Sequence, residues 1–166
     1  MPSPLGHALG GLAAGWLVSS TSGRHRDLTD AAWFAVAGMA ADLDLLVGAH
    51  SGPSHSIGAT VGVGLVTCLL RRRWRFTLAV SAAYASHILL DWLGSDAAPP
   101  IGIMALWPFT REYYESSLHL FYAVSRRYWL PNFWSLNVRA VGRELMVLTP
   151  VALAIGFLRL RRRQYL

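Results

Sequence analysis

The sequence predicts an all-α protein: a small polytopic membrane helical bundle with about five transmembrane helices. Hydrophobic residues make up 54% of the 166 residues and charged residues only 14%, against roughly a quarter in ordinary globular domains. The apolar residues are gathered into runs, and arginines flank the ends of those runs, as charges beside membrane helices do. Because a chain of this length is long enough for one domain only, we expect a single integral membrane domain over residues 1–166.

The charge of the chain is strongly basic, with a formal value of +6, and all 15 basic residues are arginine. Such a balance can indicate nucleic-acid binding. Here the arginines lie in short blocks at the ends of apolar runs and form no stripe along a soluble face, so we expect no nucleic-acid partner. The single cysteine, Cys68, lies inside an apolar run, which excludes a disulfide framework and a cysteine-built zinc site.

The first 23 residues carry no charged side chain apart from the potential charge of His7, and they lack the positive start of a secretory signal. We therefore interpret them as a retained helix. Further apolar runs follow at residues 31–49, 55–70, 76–93 and 145–158. Each is at or below the ~20 residues of a clean bilayer crossing, so a soluble bundle with buried core helices remains the alternative.

The arginine blocks predict the orientation. Blocks at residues 24–26, 71–75 and 159–163 follow the first, third and fifth runs, and all three face the cytoplasm if the amino terminus starts outside. The remaining five arginines then lie outside, which makes the positive-inside bias imperfect. We predict a five-helix protein of the inner (cytoplasmic) membrane, multi-pass, with its amino terminus out.

The segment between the fourth and fifth runs, residues 95–144, differs from the rest. The prolines of its Pro99-Pro100 and Trp107-Pro108 pairs break helices, and aromatic residues alternate with arginines after them. That composition favours interfacial helices in the headgroup layer, acting either as an anchor or as a substrate contact. The chain thus divides into a four-helix core carrying the candidate site (1–94), an extracytoplasmic interfacial segment (95–144), and a last helix with a basic tail (145–166).

Seven ionisable residues stand inside apolar runs, where histidine and aspartate are costly. At a rise of about 1.5 Å per residue, all fall in the outer half, or at the outer edge, of a ~30 Å hydrocarbon core. Each alone has an ordinary explanation as a packing residue, a cap or a helix-end carboxylate. Their common depth favours one site, whereas His25 and His119 are interpreted as solvated or interfacial. The seven are His7, Asp42, Asp44, His50, His55, His87 and Asp91.

The spacing of these residues has chemical meaning. His87 and Asp91 are i,i+4 and share one helix face, so both can bind the same ion. Asp42 and Asp44 are i,i+2 and diverge by about 200° on a regular helix. They reach one site only if the helix ends or unwinds there, or if they serve two ions. The glycines and proline of residues 48–53 favour such an end.

The loop that follows brings two further donors, since His50 and His55 bracket the turn and Ser54 can cap the next helix. Histidines and aspartates without cysteine suit zinc, manganese or iron, and the set is large enough for one or two ions. We expect a divalent metal cofactor, with zinc first.

Five short elements in order resemble the motifs of the YdjM-like membrane-bound metal-dependent hydrolases of the LexA-regulated type. That family carries a GH near its start, then PDxD, HRxxTHS and HxxxD elements and a WP motif. The resemblance spans residues 6–109 and implies a metal-dependent hydrolase without a defined substrate. The matching stretches are Gly6-His7, Asp42-Leu43-Asp44, His50-Ser51-Gly52-Pro53-Ser54-His55-Ser56, His87-Ile88-Leu89-Leu90-Asp91 and Leu106-Trp107-Pro108-Phe109.

Three positions depart from the family pattern. Ala41 replaces the proline before the first aspartate, Ser51 replaces the arginine after the first histidine, and Ser54 replaces a threonine. Loss of the arginine removes a potential phosphate contact, whereas Ser54 keeps a hydroxyl group. All seven metal-site candidates are present.

The sequence therefore predicts a membrane-embedded hydrolase of an ester or phosphoester in a lipid or lipid-linked substrate, at the outer membrane–water boundary. Asp44 is the expected general base, and Arg111 is expected to bind an anionic headgroup. A metal or proton carrier is one alternative, although the inner halves of the runs are apolar. A non-catalytic protein with a structural metal site is the other. Oligomeric partners are not predicted.

Overall fold

The protein is all-helical in the residues that the computed structural model describes, which are 1–19, 24–48, 50–97 and 99–164. Within them are five α-helices and two 3₁₀ segments, and no strand, so the predicted class is confirmed. The helices are α1 (Pro4–Val18), α2 (Arg24–Met39), α3 (Ile57–Arg71), α4 (Trp74–Leu93) and α5 (Phe133–Gln164), and the 3₁₀ segments are Ala40–Val47 and Pro53–His55.

Two helices in the described part of the chain are long and apolar enough to cross a membrane, namely Trp74–Leu93 and Phe133–Arg161. Helix α1 has 15 residues and α2 has 16. At about 1.5 Å per residue these two helices fall short of a ~30 Å hydrocarbon core. Helix α3 is apolar but also short. Five helices are therefore present, while a bundle of five membrane spans is not confirmed.

The segment after α4 differs from the prediction of interfacial helices. None of its described residues before Phe133 is helical, and α5 already begins at that residue, inside the predicted interfacial segment. Irregular backbone pairing replaces helix here: Ser95 N–H donates to the Phe121 carbonyl at 2.9 Å, and Ile103 N–H donates to the Tyr114 carbonyl at 3.0 Å. Ile103 is buried in a cluster with Ile88 of α4, and Phe121 in a cluster with Leu90 of α4, so the segment packs against the end of α4.

Helix α4 lies at the centre of the bundle and packs against α1, α2 and α3. Its alanines Ala79 and Ala83 are fully buried, next to Phe34 of α2. Helices α1 and α2 approach closely at two glycines, since a methyl group on Gly11 would lie 2.7 Å from the Cα of Gly38. This backbone contact brings the first turns of α1 beside the end of α2, where the candidate site lies.

Candidate metal centre

The structure brings all seven ionisable residues of the apolar runs into one cluster. His7 comes from α1, and His87 and Asp91 come from α4. Asp42 and Asp44 lie in the 3₁₀ segment that continues α2, and His50 and His55 lie in the following loop. At about three residues per turn, the 3₁₀ segment brings Asp42 and Asp44 closer in direction than a regular α-helix would. The segment ends before Gly48, whose φ of 76° lies in the left-handed region that glycine adopts without strain.

One group of donors consists of His7, His87 and Asp91, all fully buried. His7 Nε2 lies 3.2 Å from Asp91 Oδ1, and His87 Nε2 lies 3.0 Å from Asp91 Oδ2. The two imidazole rings stack with their centroids 3.7 Å apart. The i,i+4 pair on α4 thus shares its carboxylate with a histidine from another helix.

A second group consists of Asp42, His50 and His55, with one donor atom of each within 4.8 Å of the others. It adjoins the first group, because His55 Nε2 lies 3.4 Å from Asp91 Oδ2 and His87 Nε2 lies 3.6 Å from Asp42 Oδ1. The two groups differ in exposure. Asp42 and His50 keep 18% and 17% of their side-chain surface accessible, whereas the first group is closed to solvent.

Hydrogen bonds behind the cluster assign the tautomers of three histidines. His87 Nδ1 donates to the Gly38 carbonyl at 2.7 Å, and His50 Nδ1 donates to Asp44 Oδ1 at 3.1 Å. The hydroxyl of Ser54 donates to Asp44 Oδ2 at 2.6 Å and accepts from His55 Nδ1 at 3.0 Å. A hydroxyl has one hydrogen to donate, so His55 must supply the other. In all three rings Nε2 then carries a lone pair, as in metal-binding histidines.

The cluster fits a metal ion because its inward-facing atoms lack partners. No hydrogen bond from the described residues reaches five buried atoms, which are His7 Nε2, His55 Nε2, His87 Nε2 and both oxygens of Asp91. Buried polar atoms are nearly always satisfied, and lone pairs of nitrogen facing carboxylate oxygens repel one another. A divalent cation among them would satisfy both kinds of atom and offset the charge of the carboxylates. The nitrogen and oxygen donors suit zinc, manganese or iron.

Three residues that the sequence analysis singled out lie outside the two groups of donors. Asp44 belongs to neither group of donors. Its two oxygens accept hydrogen bonds from His50 Nδ1 and from the Ser54 hydroxyl instead. Arg111 is exposed, and no described hydrogen bond or ion pair joins it to the cluster. His119 lies at the surface, 3.8 Å from Glu115, and the side chain of His25 falls outside the described residues.

The predicted cap of α3 and the Trp-Pro element also have different roles. Ser56, not Ser54, caps α3, because its hydroxyl accepts from Ala59 N–H at 3.0 Å. Ser54 is turned toward the aspartate instead. The carbonyl of Trp107 accepts from Gly58 N–H at 3.0 Å, so the Trp107-Pro108 element braces the first turn of α3, directly after His55.

Sequence reasoning missed a buried carboxylate, Glu144 of α5. It accepts from the backbone N–H of Ser3 at 2.8 Å and from the Ser3 hydroxyl, and that hydroxyl caps α1 through Gly6 N–H. This contact ties α5 to the start of α1, one turn before His7. The signal available in the sequence was the pair Ser3-Pro4, which is typical of a helix start.

Removal of metal is expected to lower the stability of the protein, because chelation leaves the buried atoms of the cluster unsatisfied. Zinc at about 100 times its dissociation constant should stabilise the fold by ~2.7 kcal/mol. Thermal unfolding in detergent, followed by tryptophan fluorescence, measures the difference between chelated and zinc-loaded protein. His119→Ala, at the surface, should show the same difference. Coinciding curves for the two forms would contradict a metal inside the cluster.

Comparison with known proteins gives one family. The family model described as YdjM inner membrane protein matches residues 1–165. No curated protein and no solved structure matches the chain. The matched range includes every residue of the cluster and also Glu144.

Proposed function

The chain belongs to the YdjM family of inner membrane proteins, and we propose that it is a membrane-embedded metal-dependent hydrolase. Its substrate is an ester or phosphoester of a lipid or lipid-linked molecule at the outer membrane–water boundary. The observation that carries the proposal is the set of buried, unpartnered histidine nitrogens around Asp91. No hydrogen bond among the described residues satisfies those atoms.

Two ions are proposed, one for each group of donors. His7, His87 and Asp91 would hold the first, and Asp42, His50 and His55 the second. Asp42 and Asp91 each lie near histidines of both groups, so either carboxylate could serve as a donor to either group. Zinc is the proposed metal, and manganese and iron share its donor preferences here.

When bound, such ions polarise an ester or phosphoryl oxygen and acidify a coordinated water. The protein supplies the remaining parts. Asp44 lies beside the second, more accessible group and is the proposed general base for the attacking water. Arg111 is exposed in the loop after Trp107-Pro108 and is proposed to bind an anionic headgroup.

A purely structural metal site is the second candidate, because the cluster joins α1, the extension of α2, the loop and α4. Structural sites are closed to solvent, as the first group is. The partial exposure of Asp42 and His50 favours an open, catalytic site for the second group. An ion carrier is less well supported, because a path for ions needs polar groups on both sides of the membrane. In the amino-terminal half of α4 the buried residues Phe76, Ala79 and Val80 are apolar.

Metal-dependent turnover is the direct test of the proposal. The purified, zinc-loaded protein is expected to hydrolyse an aryl phosphoester or a phospholipid in mixed micelles, and chelation should abolish that activity until zinc is restored. Elemental analysis of the same samples measures the bound metal. Stoichiometric zinc without turnover on the whole substrate panel would favour the structural site.

The two candidate spans by themselves suggest an orientation. The cluster lies at the carboxyl end of α4, which is the end joined to the start of α5 through the irregular segment. The opposite ends carry the arginine blocks of residues 71–75 and 159–163. Because positive charge is concentrated on the cytoplasmic side, the cluster is proposed to face outward.

Accessibility labelling is expected to report this orientation. A reporter fused after Leu166 should read as cytoplasmic. A membrane-impermeant maleimide should label Ser117→Cys, an exposed position after α4, in cells with a permeable outer barrier. Both variants are made in a Cys68→Ser background, which also serves as the unlabelled control. Labelling of position 117 only after lysis would place the cluster inside and contradict an outer-leaflet substrate.

A further inference from the structure

An apolar cleft of about 520 Å³ adjoins the two turns of α4 that carry His87 and Asp91. Its walls come from the first turn of α3, the last turns of α4 and the loop that carries the Trp107-Pro108 element. These three parts contribute Ile57, Ala85, Ile88, Leu89, Ala105 and Leu106. A cleft of this size is within the usual range for small-molecule sites.

The cleft and the cluster are at the same level of the bundle. Ile88 directly follows His87 in α4, and Ile57 comes two residues after His55. Since His87 and Asp91 face the bundle interior, while Ile88 and Leu89 line the cleft, the two sites occupy neighbouring faces of the same two helical turns. An apolar chain in the cleft therefore lies at the depth of the cluster, on the neighbouring face of α4.

The cleft suits a hydrocarbon ligand. Two of its lining residues with polar atoms already have partners: the Thr60 hydroxyl donates to the Ser56 carbonyl at 3.2 Å, and the Tyr114 hydroxyl donates to Glu112 at 3.1 Å. The remaining lining is aliphatic, apart from Trp92. A polar ligand would lose its hydration without gaining these hydrogen bonds, whereas an apolar chain gains from burial.

The outer surface next to the cleft indicates where the ligand comes from. From Ile57, a stripe at intervals of four residues continues along α3 through Val61, Leu65 and Leu69, which are 56%, 62% and 78% exposed. In a protein of the inner membrane such an apolar stripe lies against lipid. A lipid chain can therefore pass along it into the cleft without crossing water.

We propose that this cleft binds an acyl chain of a phospholipid and thereby presents the ester or phosphoester of that lipid to the cluster of histidines and aspartates. The inference rests on the proposed function and names the substrate class. It also gives the Trp107-Pro108 element a role, since this element braces α3 and its loop forms one wall of the cleft. Substrates without an acyl chain should then bind more weakly than phospholipids.

Photo-crosslinking tests the cleft without relying on turnover. The full chain is reconstituted with a phosphatidylglycerol that carries a mid-chain diazirine, and the adducts are mapped by mass spectrometry. We expect adducts to concentrate on residues 85–92 and 105–106. Ala85→Phe fills the cleft and should reduce them several-fold. Leu89→Trp, at the exposed rim, is a second variant that avoids the packed interior. The matched control is Ala154→Phe on the exposed face of α5.

Adducts spread evenly over the exposed faces of α3 and α5, or cleft adducts unchanged in both filled variants, would overturn the proposal. So would a dimer in size-exclusion chromatography that Leu89→Trp dissociates, because the cleft would then be a contact between two copies of the chain. Labelling does not require metal, so the two proposals fail separately. Adducts in the cleft of a protein that hydrolyses no substrate would support the lipid-binding cleft and contradict the proposed hydrolase activity.

Discussion

Replacing His87 or Asp91 by alanine is expected to remove bound metal from the protein without preventing its insertion into the membrane. Each change deletes a donor that faces the other at 3.0 Å in a fully buried group. The affinity for zinc should fall by more than the ~10–100-fold that is typical when a residue hydrogen-bonded to a metal ligand is lost. The apolar residues 88–90 between them remain and still drive insertion of α4.

Elemental analysis of detergent-purified protein measures this effect, with hydrolysis followed in parallel. His119→Ala is the matched control, because His119 lies at the surface. Recovery of both variants in normal amount with little metal would support the ligand assignment. A structural metal site predicts instead that both are poorly recovered. Full metal occupancy in both variants would show that the i,i+4 pair does not bind an ion.

The helical class and the grouping of the seven residues could be predicted from the sequence, because both depend on local patterns. Apolar runs bounded by arginine indicate helices, and the i,i+4 spacing of His87 and Asp91 places them on one face. The structure shows how Asp42 and Asp44 reach one region, since α2 ends at Met39 and continues as a 3₁₀ segment. The assignment of these residues as metal ligands stays a prediction until bound metal is measured.

Long-range contacts explain what the sequence did not reveal. The aromatic residues after α4 resemble an interfacial helix, but backbone pairing of Ser95 with Phe121 and of Ile103 with Tyr114 favours an irregular segment. Likewise Glu144 looks like an isolated charge in an apolar run until α5 packs against the start of α1. Such pairings join residues far apart in the chain, and no local period encodes them.

The role of Ser54 illustrates the same limit. A serine before a helix is typically a cap, and the sequence favours that interpretation. In the structure Ser56 caps α3, and this frees Ser54 to join Asp44 to His55. Asp44 thereby contacts two histidines of the second group. It contacts His50 directly, and it contacts His55 both through the Ser54 hydroxyl and directly, at 3.2 Å from Oδ2 to Nδ1. Its part in catalysis must be separated from its part in positioning.

Asp44→Asn is expected to abolish turnover while most of the metal stays bound. The amide keeps the shape of the carboxylate and can still accept one hydrogen bond, from His50 or Ser54, but it cannot take a proton from water. Loss of a general base typically costs about 10²–10⁴-fold in rate. Turnover under saturating zinc, together with zinc affinity from competition with a chelator, measures the two effects.

Ser54→Ala is the comparison that separates base from positioning residue. It leaves the Asp44 carboxylate intact and removes the hydroxyl that links it to His55, whereas His55 Nδ1 still lies 3.2 Å from Asp44 Oδ2. We expect zinc affinity to fall by ~10–100-fold, as for other partners behind a ligand, and excess zinc to restore turnover. Asp44→Asn should resist that rescue, because a missing proton acceptor is not replaced by metal. If excess zinc restores both variants alike, Asp44 only positions the histidines and another group takes the proton.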